Sequence, residues 1–109
     1  MVMEMDEYVP SKVYPKIRAS KEGNFTFSQK IAEKIRSRFC RLRYTHDKKR
    51  VVLVFMFTDK QGEDTLKVNR HGRQARVSAP KLIRQLKLEG METTKYAFLD
   101  GVLVVLFER

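Results

Sequence analysis

LKVNRHGRQARVSAPKLIRQLKLEG (residues 66–90) and KYAFLDGVLVVLFE (residues 95–108) carry the pattern that decides the fold. Residues 65–68 alternate as a half-buried strand does, residues 69–72 (Asn-Arg-His-Gly) read as a turn, and residues 74–77 return as a second strand. Ser78 then stands where a helix N-cap is expected. Residues 81–87 place Leu82, Ile83 and Leu86 at helical spacing, and Pro80 falls in the first turn, where its missing N–H costs little. Leu88-Glu89-Gly90 ends the helix. Residues 95–99 and 102–107 flank Asp100-Gly101, a strong two-residue hairpin signal.

The same order stands upstream. Residues 13–18 alternate roughly apolar and basic, a strand weakened by Pro15, so a first or edge strand is expected. Residues 21–24 form a turn, and Phe25-Thr26-Phe27 a short strand that runs into a second cap, Ser28. Residues 29–36 place Ile31 and Ile35 on one face of a short amphipathic helix. Residues 39–44 and 50–57 then form a hairpin over the polar loop 45–49. Phe27-Ser28 superposes on Val77-Ser78, Ile35 on Leu86, Arg43-Tyr44 on Lys95-Tyr96, and Val52-Leu53-Val54 on Leu103-Val104-Val105, at an offset of 50 to 52 residues. Units of about 45 residues are too small to bury a core alone, so the two are expected to share one about a pseudo-twofold axis. The organisation is an acidic arm (residues 1–10), a first unit (11–58), a connecting loop (59–64) and a second unit (65–109). The fold class is mainly β with two short helices, an α+β chain of two strand-turn-strand-helix-hairpin units.

Composition narrows the function. Of 109 residues 42% are hydrophobic and 33% charged, as in ordinary globular proteins. The longest apolar run, residues 51–57, is far shorter than the roughly 20 residues of a membrane span. The first ten residues match neither a secretory signal nor a transit peptide, so a cytoplasmic location is expected. Cys40 is the single cysteine, read as a half-buried structural thiol, and with two scattered histidines there is no metal-ligand spacing. The net charge is +10 and is unevenly spread: −3 over residues 1–10, +10 over 11–57 and +3 over 58–109. Residues 67–87 hold seven Lys/Arg and no acid. Such a distribution points to a polyanionic partner.

The second unit resembles the AbrB/SpoVT/MazE-type swapped-hairpin DNA-binding domains: strand, Gly-Arg turn, strand, capped helix with a Leu/Ile face, and a hairpin closed by Asp-Gly. The first unit, YPKIRASKEGNFTFSQKIAEKI with FCRLRYTHDKKRVVLVF, follows the same order. The resemblance implies two copies interleaved into one small pseudo-twofold β-barrel, here within a single chain. It also implies DNA contact through basic residues on the first turn and the nearby helix. On this sequence these are Arg70, Arg73 and Arg76 around Gly72 with Arg84 on the second helix, and Arg18, Lys21 and Asn24 around Gly23 with Lys30 and Lys34 on the first. Ser28 stands where the family commonly has proline, Pro80 is displaced by two positions from the matching Ser78, and Asn24 replaces the arginine after the turn glycine.

Lys16, Lys67, His71 and Lys81 lie in the same basic stretches and complete the candidate DNA-binding set. Lysine and arginine neutralise phosphates, and arginine can also fork onto a guanine edge. Arg36, Arg38, Arg41 and Arg43 are read instead as a solvated face. Phe25, Phe27, Phe39, Phe55, Phe57, Phe98 and Phe107 alternate beside aliphatic residues and are read as core, not as base-stacking platforms. Tyr14, Tyr44 and Tyr96 are expected to be structural and half-exposed. His46 and His71 fall in turns, as do Asp47, Asp59, Asp64 and Asp100, and none forms a catalytic constellation. The chain is therefore read as a non-enzymatic, cofactor-free binder of double-stranded DNA and a regulator of transcription, either a monomer with an internal pseudo-dimer or a further homodimer. The alternatives are an antitoxin-like or phage-encoded inhibitor that docks its basic face on an acidic protein, and an RNA-binding barrel.

Overall fold

A computed structural model describes residues 15–109. The elements run β1 (Ile17–Ala19), β2 (Asn24–Phe27), α1 (Gln29–Ala32), β3 (Phe39–His46), β4 (Arg50–Thr58), β5 (Leu66–His71), β6 (Gln74–Ser78), α2 (Pro80–Gln85), β7 (Glu92–Thr93), β8 (Tyr96–Leu99) and β9 (Val102–Glu108). All pairings are antiparallel, in the order β7-β1-β2-β6-β5-β3-β4-β9-β8. The hairpins β1-β2 and β5-β6, one from each half of the chain, join through β2·β6, where Phe25 faces Val77 and Phe27 faces Ala75. The hairpins β3-β4 and β8-β9 join likewise through β4·β9, with Leu53 opposite Val105.

Two strands carry the chain between these sheets and nearly close the barrel. The first residues of β3, Phe39 and Cys40, pair with β5, while the whole strand pairs with β4. At the opposite seam β7 pairs with β1 and leads through Thr94 and Lys95 into β8. The Leu106 amide donates to the Lys95 carbonyl at 2.9 Å, and the Thr93 hydroxyl to the Leu106 carbonyl at 2.7 Å.

Strict alternation decides which side chains enter. Ile17 and Ala19, Phe25 and Phe27, Val51, Leu53 and Phe55, Ala75 and Val77, and Leu103, Val105 and Phe107 all point inward and are fully buried. Ile31, Ile35, Ile83 and Leu86 add the inner faces of the helical segments. The rings of Phe25 and Phe27 meet Phe55 edge-on at 5.4 and 5.2 Å between centroids. No polar or charged side chain is buried among the described residues.

Several expectations are corrected in detail. α1 ends at Ala32, not at residue 36; beyond it Lys34 and Ile35 donate to Ile31 and Ala32 in tighter three-residue turns. Ser28 occupies the cap position, yet its hydroxyl accepts from the Lys16 amide at 2.9 Å and makes no cap bond. Ser78 is not a cap at all: it ends β6, and Ala79 precedes Pro80 at the start of α2. The residues expected as the turn 69–72 are strand up to His71, because the β5·β6 ladder continues to His71 opposite Gln74. His46 likewise ends β3 rather than lying in a turn, stacked on Tyr44 at 6.1 Å. β7 has no counterpart in the sequence-based expectation. Cys40 is fully rather than half-buried. Asp100 and Gly101 both have positive φ, 48° and 78°, as the expected Asp-Gly hairpin requires. The strand expected over residues 13–18 begins at Ile17 among the described residues, and the acidic arm and Tyr14 lie outside them.

Candidate nucleic-acid interface

If Phe25, Phe27, Ala75 and Val77 point into the core, their neighbours must point out. The outer face of β1-β2-β6-β5 is accordingly polar. Its central transverse row runs Glu92, Arg18, Thr26, Arg76, Asn69 in register across five strands. Arg18 and Arg76 stand two strands apart, about 10 Å. The middle of the row, Arg18, Thr26 and Arg76, lies in a shallow groove of about 610 Å³ whose walls include Lys16, Ser20, Glu22, Asn24, Ser28 and Gln74. Lys67 and His71 are exposed on the outward positions of β5 that flank it.

Charge in the groove is partly compensated. Lys16 Nζ lies 3.3 Å from a Glu92 carboxylate oxygen, and Glu22 contributes a second acid. Arg18 and Arg76 form no ion pair among the described residues, and the half-buried Arg76 Nε has no hydrogen-bond partner. A buried guanidinium N–H without an acceptor is an unmet demand for one. The surrounding hydroxyls and amides can both donate and accept.

The glycine turns bracket this face. Gly23 lies beyond Asn24, which faces Ser78, whereas Gly72 lies beyond Gln74, at the Phe27–Ala75 end of the same ladder. The turns therefore stand about 20 Å apart, at opposite ends of the groove. Lys21 is exposed at one and Arg73 at the other. Each turn leans on the helix of the other unit: the Ala79 amide donates to the Gly23 carbonyl at 2.9 Å, and Gly72 and Arg73 share a hollow with Gln29, Ala32 and Glu33 of the α1 region. Gly72 has a positive φ, 61°, a conformation that glycine adopts without steric cost.

Arg70 is differently engaged. Its guanidinium donates to the Ala32 carbonyl at 2.9 Å and also to the Ile35 carbonyl, closing the carboxyl end of the α1 segment. Arg109 does the same for α2, donating to the Leu86 carbonyl at 2.8 Å. Lys30, Lys34, Lys81 and Arg84 are exposed on or beside the helices, outside the groove walls. Ser20, Thr26, Ser28 and Gln74 line the groove without having been singled out from the sequence, although their alternation with Ala19, Phe25, Phe27 and Ala75 was a usable signal.

Elsewhere the ionisable groups have structural surroundings. Burial pushes the Cys40 thiol up to about 12, so it stays protonated and inert. Asp47 accepts from the Lys49 and Arg50 amides at 2.8 and 2.9 Å, and these bonds hold its carboxyl below the usual range. Among the described residues no group of three or more His, Cys, Asp or Glu could hold a metal, and no helix is long and apolar enough to cross a membrane. Set against known proteins, the chain matches no family model, no curated protein and no solved structure.

Proposed function

We propose that the chain binds double-stranded DNA through the outer face of β1-β2-β6-β5, as a sequence-specific or structure-selective regulator of transcription. The observation that carries this is the groove in which Arg18 and Arg76 share a row with hydroxyl and amide side chains. The central pair β2-β6 carries Thr26 and Arg76 outward as a two-stranded ribbon, the width of sheet that a major groove admits. Arg76 brings an unsatisfied donor, His71 a ring that can donate or accept, and Lys67, Lys21 and Arg73 extend positive charge along the face and to its two ends. The acceptors missing here are those that phosphate oxygens and guanine edges supply.

The interleaved order of hairpins, with each turn resting on the other unit's helix, supports a swapped-hairpin arrangement of the AbrB type. In that arrangement Lys16, Arg18, Asn24 and Arg76 read the duplex, Lys30, Lys34, Lys81 and Arg84 meet flanking phosphates, and Arg70 holds α1.

A mobility-shift titration against duplex DNA, single-stranded DNA and RNA at rising salt tests this. Duplex preference with a steep salt slope is expected. Replacing Arg18 and Arg76 together by Ala should weaken duplex binding at least about 30-fold and flatten the slope by about 2, with the melting temperature nearly unchanged. Equal affinity in the double variant, or no binding to any of the three nucleic acids, overturns it.

A further inference from the structure

The opposite outer face, that of β3-β4-β9-β8, has another character. Val52, Val54 and Met56 on β4 alternate with buried residues and therefore face out, in register with Leu106, Val104 and Val102 on β9. On β8, Leu99 faces Val102 and is 73% exposed; Val104, at the centre of the face, is 38% exposed. On β3, Arg41 and Arg43 sit opposite Met56 and Val54 and form one rim. Monomeric proteins seldom leave a contiguous apolar sheet face uncovered.

The charges around this face come close to balancing, although the whole chain carries +10. Arg41 is bridged to Asp64 at 3.4 Å, Lys95 is paired with Glu108, and Arg50 lies across from Glu108 on the neighbouring strand. Glu108 offsets only one of Lys95 and Arg50, so four cations (Arg41, Arg43, Arg50 and Lys95) stand against three acids (Asp64, Glu108 and Asp100), with Arg43 on the β3 rim and Asp100 beyond the β8 rim on opposite sides. An apolar centre ringed by charges of both signs offers a polyanion or an acidic protein far less than the Arg18–Arg76 face does, but it is complementary to itself.

We infer that this face is where a second copy of the chain docks, sheet on sheet, to form a twofold dimer. A twofold axis parallel to the strands sets the β3 rim of each copy over the β8 rim and Asp100 of the other, so like charges do not oppose one another. Three cross-strand rows on four strands give roughly 400 Å² per copy, about half of what a standard stable interface buries, so the dimer forms at about 10–100 μM. Its driving force is apolar, and it survives salt that would dissolve an ionic contact.

Sedimentation velocity of the full chain from about 5 to about 500 μM, at low and at high salt, is the test. The wild-type mass should rise from 12.9 kDa toward twice that value at both salts. Val104→Glu should stay monomeric over the same range, and Leu99→Ser, at a more exposed position that tolerates change, should weaken association at least about tenfold. Methyl resonances of Val54 and Val104 should shift on dilution of the wild type, which needs no variant at all. A wild type that remains monomeric at the highest concentration, association abolished by salt, or dilution shifts on the Arg18–Arg76 face would each overturn the inference.

Discussion

The two glycine turns occupy equivalent places in the two halves, yet their surroundings differ. A Cβ added to Gly23 would lie 2.4 Å from Pro80 Cβ and 2.7 Å from Pro80 Cα, at a φ of 92°. One added to Gly72 would meet nothing within 4 Å, at a φ of 61°. The glycine of the first turn is wedged against Pro80 of α2 of the other half; the glycine of the second has open space beside it. A repeated sequence pattern can therefore fold to one topology while distributing stability unequally between its copies.

The largest expected effect follows from the closer contact. Gly23→Ala combines an unfavourable backbone region with a clash against the proline backbone, which cannot swing away as a flexible side chain would. A cost of at least about 3 kcal/mol is expected. For a chain of this size that is roughly 12–24 °C in melting temperature, read by calorimetry or by far-ultraviolet circular dichroism. A loss no greater than that of the matching Gly72 variant would erase the distinction between the turns.

The arginines that close the two helical segments sharpen the comparison at a smaller scale. Arg70 donates to two carbonyls at the end of α1, and Arg109 to one at the end of α2. Arg70→Ala should cost about 2 kcal/mol and Arg109→Ala about 1 kcal/mol in chemical denaturation. Arg70 also separates structure from binding: its replacement should lower stability and leave duplex affinity within about twofold. Arg73→Ala, at the exposed turn beside Gly72, should lower affinity without touching stability. The opposite pattern would place Arg70 on the duplex and leave the end of α1 unsupported.

The architecture was legible where apolar alternation is long. Residues 50–57 and 102–107 announce β4 and β9 because consecutive inward positions are Val, Leu or Phe, and Asp100-Gly101 fixes the hairpin register through its positive φ values. β7 was not legible: Glu92 and Thr93 carry no apolar pattern, and only the seam they close makes them a strand. The serine caps misled for a related reason. Ser28 lies within reach of the Lys16 amide, a partner 12 residues away that local sequence does not reveal. The candidate site was legible as a basic, period-two surface, but the separation of its two turns was not. That depends on β2 and β6 running antiparallel, so that the turn of each hairpin falls at the far end of the other. The partners of Arg70 were hidden from the same local view, since its acceptors, Ala32 and Ile35, lie in the other half of the chain.

Of the two turns, the smaller effect belongs to Gly72. With open space around an added Cβ, Gly72→Val is opposed chiefly by the left-handed backbone, so about 1–2 kcal/mol is expected. Gly72→Asn should cost less, because asparagine tolerates that region better than a β-branched residue does. The ordering Val worse than Asn, with both milder than Gly23→Ala, isolates backbone strain from packing. If Val and Asn were equally harmful, the cost would have to come from contacts that this exposed turn does not make. If both were harmless, the turn would have relaxed to a negative φ, and the His71–Gln74 pairing that now ends the β5·β6 ladder would have to open with it.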